Sequence, residues 1–188
     1  MIKMSNSTKT ELLHEASRML LSKGLNGFSL QELATSLKIR KASLFHHFPS
    51  KNALALELYR FYQASLTEWI SEHSHLSAEK QILAYVDKYT TWICEKKRVC
   101  PVGALSLEWV KIDPDLQVEI KKLHDQQKNW LTKLFKQIQK ESGLRISVNE
   151  AVTVTMGLIQ GSIQHSRINQ DTNLLRKNMK AFLKSAKE

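Results

Sequence analysis

Very little in this sequence interrupts a helix. Its 188 residues include three prolines and six glycines, and no stretch alternates apolar and polar residues as a half-buried strand does. That scarcity of breakers predicts an all-α protein. Two cysteines, Cys94 and Cys100, exclude a disulfide-stapled scaffold and are too few for a zinc site by themselves, so reduced thiols are expected. No run reaches the roughly 18 consecutive apolar residues of a membrane span; the best stretch, 151–159, is cut by Thr153 and Thr155. The opening MIKMSNSTKT has one lysine and no apolar core behind it, so no secretory signal, no membrane partner and a cytoplasmic location are expected. Gly-x-Gly-x-x-Gly, Gly-x-x-x-x-Gly-Lys, His-Glu-x-x-His and Gly-x-Ser-x-Gly are all missing, which removes the common nucleotide, zinc-protease and hydrolase signatures. His73-x-His75 is too short for a metal site. No catalytic residue, metal or cofactor is therefore assigned, and an enzyme is not expected.

Positive charge, by contrast, is plentiful. Lys and Arg number 28 against 18 Asp and Glu, a formal net charge of +10, which favours an anionic partner such as nucleic acid or a membrane surface without choosing between them. A chain of this length buries roughly 70% of its extended surface, enough for a core without staples.

Apolar periodicity orders the chain into helices. Thr8 and Glu11 form a capping-box pair ahead of Leu12, Leu13, Ala16, Met19 and Leu20, and Gly24 and Gly27 stop that helix. Ser29 and Glu32 form a second box before the stripe Leu30, Leu33, Ala34 and Leu37. After a break near Lys38, a piece from Arg40 to Phe48 has Leu44, Phe45 and Phe48 as apolar anchors and ends before Pro49. Helices this short are unstable alone, so residues 8–48 should form one three-helix unit. A long helix then starts near Ser50 and passes Ile70, and another carries Ile82 to Ile93. Pro101 and Pro114 look like first helical residues, Gly143 separates a helix ending near Ser142 from one capped by Ser147 and Glu150, and 171–186 makes the last.

Two short helices packed on a third through a tight turn match the helix-turn-helix, whose second helix enters the DNA major groove. No acid occurs between Glu32 and Glu57, whereas Lys38, Arg40, Lys41 and Lys51 are basic and His46 and His47 can donate hydrogen bonds. On charge alone, a solvated basic patch and a DNA-binding face explain this equally well.

The run Ser29-Leu-Gln-Glu-Leu-Ala34, followed by Ile39-Arg-Lys-Ala-Ser-Leu-Phe-His-His-Phe-Pro-Ser-Lys51, resembles the tetracycline-repressor (TetR/AcrR) family of transcription regulators over about the first third of the chain. The resemblance implies about nine helices: a helix-turn-helix domain over 6–66, with the long helix joining it to a ligand-binding and dimerisation bundle over 67–188. It implies a homodimer on a palindromic double-stranded operator, released by an unidentified small-molecule effector. The matching positions are Ser29, Lys41, Ser43, His46, His47 and Lys51, with Lys51 suited to a phosphate. Three positions depart from the family pattern. Lys38 replaces a turn glycine, so it either adopts a left-handed conformation or uses another turn. Arg40 replaces a small cap residue and offers a guanidinium able to read guanine. Phe45 replaces a tyrosine and has no hydroxyl for a phosphate.

Farther along, Val152, Ile159 and Ile163, the small face Gly157-x-x-x-Gly161, and Leu175, Met179, Phe182 and Leu183 mark the last two helices as a four-helix dimer interface; the alternative is that both stripes are intramolecular core. Tyr85, Tyr89, Trp92, Trp109, Trp130 and Met156 form either an aromatic ligand pocket or ordinary core. Cys100 follows Lys96, Lys97 and Arg98 and precedes Pro101, a setting that favours thiolate. Some regulators of the family carry a cysteine there, ahead of a run like Leu105 and Glu108, and respond to oxidants or electrophiles; a small buried hydrophobe is the other reading. Three functions stay open: a ligand-released repressor, a DNA-binding protein without an inducer, and a helical-bundle binding protein or enzyme with an incidental basic patch.

Overall fold

The capping and periodicity signals become nine α-helices and a short 3-10 helix, with no strand among the described residues. The computed structural model describes residues 6–96 and 98–187, and their side chains except those of 6–8 and 92–96. The helices are α1 (Asn6–Lys23), α2 (Leu30–Ser36), α3 (Lys41–His47), α4 (Lys51–His73), α5 (Ala78–Lys96), α6 (Pro101–Ala104), α7 (Pro114–Ser142), α8 (Val148–Asn169) and α9 (Leu174–Ala186). The 3-10 helix spans Ser106–Lys111. Thr8 lies inside α1, not at its cap. The expected boxes at Ser29 and Ser147 both form, each hydroxyl accepting from the glutamate amide three residues on. After Pro101 the chain makes a single helical turn and then the 3-10 helix instead of one continuous helix.

The chain divides into two compact units: residues up to Ser65 with Pro101–Leu123, and Leu66–Cys100 with His124 onward. The division falls within α4 and α7. Residues 101–123 thus join the first unit, where a sequence boundary at 66/67 had grouped them with the second.

In the first unit, Leu12, Ala16, Leu20, Leu33, Ala34, Leu44, Leu54 and Leu58 are fully or almost fully buried. Tyr59 donates to the Pro101 carbonyl at 2.8 Å, and Tyr62 to Ser17 Oγ at 2.9 Å. These bonds satisfy buried hydroxyls and attach α4 to α6 and α1.

The second unit packs α5, α8 and α9 against one another, and most of the side chains expected at a dimer face are buried inside it. Val152, Ile159 and Ile163 are 1% exposed, Leu175 and Met179 0%, and Leu183 2%. They are core within one chain. Phe182 is half-buried, and only Gly157 and Gly161 face outward. The open surface of α8 instead presents Val154, Gly157, Leu158, Gly161 and His165, which with Ser162 and Asn178 line a groove of about 320 Å³. A helical apolar stripe reports that a face is covered, not which chain covers it.

Candidate nucleic-acid interface

The two short helices owe their geometry to local bonds. Ser29 caps α2: its hydroxyl oxygen accepts the Glu32 amide at 3.1 Å, while its own amide donates to the Glu32 carboxylate at 2.6 Å. The bond from the Ser29 amide holds the Glu32 carboxyl below the ordinary carboxylate range. At the other end of α2 the chain reverses through Lys38, whose φ is +54°. The Lys38 amide bonds Thr35 O at 3.1 Å and the Ile39 amide bonds Ala34 O at 3.0 Å, the paired bonds of a Schellman ending. Of the two alternatives for this turn, the left-handed one is realised without glycine. Arg40 then occupies the N-cap of α3 and makes no side-chain cap hydrogen bond.

α3 has one buried residue, Leu44. Lys41, Ser43, Phe45, His46 and His47 are all exposed on it, and Ser29, Lys38 and Arg40 are exposed beside it. The rings of His46 and His47 meet edge to face with centroids 5.3 Å apart. Phe45, expected as an anchor, is 39% exposed. The helix therefore offers cations, a hydroxyl, two imidazoles and one apolar ring to a partner, and no carboxylate.

Lys51 has an internal task that its spacing did not reveal. Its ammonium donates to the carbonyls of Leu25 and Phe28 at 2.8 and 2.9 Å and lies 5.6 Å above the Phe28 ring. From the opposite sign, Glu108 accepts the Leu25 amide at 3.2 Å and the Asn26 side-chain amide. The loop into α2 is thus held through its carbonyls by a cation and through its donors by an anion. Gly24, at φ +76°, opens this loop, and a Cβ there would come within 2.9 Å of Glu108 Oε1. Glu108 could have been suspected from the Leu105-x-x-Glu108 run; its partner could not. We expect Lys51→Ala to lower the stability of the first unit by about 2 kcal/mol, since bonds from a charged donor are lost and two carbonyls are stranded. Urea denaturation measures this, and an unchanged midpoint would return Lys51 to a purely phosphate-facing role.

In the second unit the predicted aromatics partly converge. Tyr85 and Trp130 rings are 4.9 Å apart, Trp69 and Trp130 5.6 Å, and Tyr85 and Tyr89 5.0 Å. Tyr85 and Tyr89 hydroxyls lie 2.9 Å apart, and Tyr89 Oη is 3.2 Å from Cys100 Sγ. Burial pushes both phenols above their ordinary range. Trp130 Nε1 and Gln127 Oε1 are buried without a hydrogen-bond partner. Trp69, absent from the sequence-based set, completes the cluster, and Lys88 Nζ stands 5.6 Å above its ring. Trp109 belongs to the first unit and is 40% exposed; Met156 is half-buried on α8; the Trp92 side chain lies outside the described residues, as do those of Lys96 and Lys97.

Cys100 is 0% exposed. A thiol enclosed in this way is protected from reagents whatever charges precede it in sequence. We expect native Cys100 to alkylate more than about tenfold more slowly than in the urea-unfolded chain, followed by mass spectrometry. Rapid labelling of the native protein would reopen the electrophile-sensor reading.

Residues 12–58 match the family model for bacterial regulatory proteins, tetR family. An uncharacterized HTH-type transcriptional regulator from the lacX 3′ region of Lactococcus lactis subsp. lactis is 26% identical over 184 residues, covering 92% of this chain and 89% of that one. The HTH-type transcriptional repressor NemR of Escherichia coli K12 is 26% identical over 118 residues, 60% of this chain and 59% of its own. A TetR-family transcriptional regulator from Agrobacterium tumefaciens superposes with a TM-score of 0.87 at 21% identity, covering 97% of this chain and 98% of that one. Among the described residues no helix is long and apolar enough to cross a membrane. The capped α2, the left-handed turn, the carboxylate-free α3 and these likenesses agree: residues 12–58 are a helix-turn-helix domain of the tetR family of bacterial regulatory proteins, and the chain as a whole is similar to DNA-binding transcription regulators of that family.

Proposed function

We propose that the protein is a cytoplasmic, homodimeric repressor that holds a palindromic duplex operator through its two α3 helices and releases it when a small molecule binds the second unit. The observation that carries this reading is the outward face of α3, where Lys41, Ser43, His46 and His47 are exposed beside Arg40 and Ser29, with no acid from 33 to 56. Cations position the helix on phosphates, while the guanidinium, hydroxyl and imidazoles reach base edges. The name of NemR, a repressor, supports the direction of regulation.

For the dimer, the supporting feature is the groove on α8 and α9. A Cβ built at Gly157 or Gly161 meets nothing within 4 Å, so the small face is open to a second helix at close range. For the effector, the unpartnered Trp130 donor and Gln127 acceptor supply polar groups that a ligand could pair within an aromatic wall. Such a ligand acts only through its differential affinity for two conformations, about 5- to 150-fold in operator affinity for a typical coupling. The helix α4 contributes to both units and is the transmitter.

Selection of duplexes from a random pool, followed by sedimentation of the complex, tests the reading: one palindromic sequence and a two-chain complex are expected. A monomer on DNA, or no enriched sequence, would discard it. A second reading, a DNA-binding protein that answers to a protein partner, is favoured by Leu107 and Val110, 99% and 94% exposed on the 3-10 helix. A thermal-shift compound screen separates the two, since only the first predicts a small molecule that raises the melting temperature and weakens operator binding.

A further inference from the structure

Phe45 is the feature of α3 that neither phosphate contact nor polar base reading uses. Sequence periodicity assigns it to the core, yet 39% of its surface is open to solvent, whereas its neighbour Leu44 is fully enclosed. The Lys41 ammonium stands 5.3 Å above its ring, one helical turn earlier, and the imidazoles of His46 and His47 are exposed on the same helix. The ring has no hydroxyl with which to bond a phosphate. Its remaining capacity is apolar contact, and in the major groove a single group offers that: the C5-methyl of thymine.

We propose that Phe45 is a specificity-determining residue that reads a thymine methyl at one position of each operator half-site, with Lys41 holding the ring in place. This rests on the DNA-binding reading above. Removing one methyl from the contact should weaken binding about fourfold, and about fifteenfold when both half-sites lose it.

The test begins with the highest-affinity duplex selected from a random pool by the full-length protein. Each thymine is replaced singly by deoxyuridine, which deletes the methyl and keeps the pairing, and affinity is measured by fluorescence anisotropy. The expected result is one symmetry-related pair of positions with the fourfold loss and no loss at the others. In Phe45→Ala that thymine-to-uracil ratio should fall to about one, and in Lys41→Ala it should shrink while the salt dependence also falls. Because the ratio is taken within one variant, a general loss of affinity does not alter it. If the selected duplex binds but no deoxyuridine position matters, or the same position matters equally in Phe45→Ala, the proposal is overturned and the DNA-binding reading stands. If no duplex is enriched, both are overturned.

Discussion

Raising monovalent salt from about 50 to about 200 mM should lower operator affinity by about 10³-fold. The magnitude follows from the exposed cations of the helix-turn-helix. Lys38, Arg40 and Lys41 are exposed, whereas the Lys51 ammonium is committed to the Leu25 and Phe28 carbonyls. Three cations per protomer, Lys38 and Lys41 at phosphates and Arg40 within the groove, displace about six counterions from the DNA in a dimer, and each released counterion contributes about −0.9 to the log-log slope, giving about −5. Counting Lys51 as a fourth contact would steepen the slope to about −7, so the measurement also decides where that side chain acts. Lys41→Ala should flatten the slope by about two per dimer with every sequence alike, apart from its smaller effect at the thymine position. Arg40→Ala, by contrast, should change which bases matter, by about 1 to 3 kcal/mol for a lost guanine contact. A slope near zero would mean that this basic surface does not meet DNA.

Leu44→Ala should abolish operator binding while leaving most of the helical signal intact. Leu44 is 0% exposed and is the one buried residue within the seven residues of α3; Phe48, 6% exposed, lies just beyond its end. Truncating a buried leucine costs about 2 to 5 kcal/mol, a large fraction of the roughly 5 to 15 kcal/mol that keeps a domain folded. A helix of two turns has no stability of its own to fall back on, so α3 should leave the unit before anything else does. Circular dichroism should change little at room temperature, the denaturation midpoint should drop, and specific binding should vanish. Leu44→Met, which nearly conserves volume, should cost less than about 1.5 kcal/mol and retain binding. Wild-type affinity in Leu44→Ala would mean that the backbone of α3 is held by something other than this one side chain.

Local information was enough for much of this protein. The capping boxes at Ser29 and Ser147, the stops at Gly24 and Gly143 and the helix start at Pro114 are encoded within a few residues, because a helix end is decided by which side chain or conformation satisfies its orphan backbone groups. The brevity of α2 and α3 and the missing carboxylates from 33 to 56 are equally legible, and together they announce the helix-turn-helix. Where such a reading goes astray, the reason mostly lies far away in sequence. A period of 3.6 marks Val152, Ile159, Leu175 and Met179 as covered, but α5, α8 and α9 of the same chain cover them, leaving the opposite face with Val154, Gly157 and Gly161 open. Phe45 looks like an anchor by composition, yet Leu44 and Phe48 are the buried apolar residues of this segment and the Phe45 ring is left 39% exposed. Lys51 and Glu108 looked like a phosphate contact and part of a ligand-domain motif; only folding sets them around the loop at Leu25. Charge and periodicity specify what a side chain can do, and the three-dimensional neighbours decide which of those capacities is already satisfied inside the molecule and which is left for a partner.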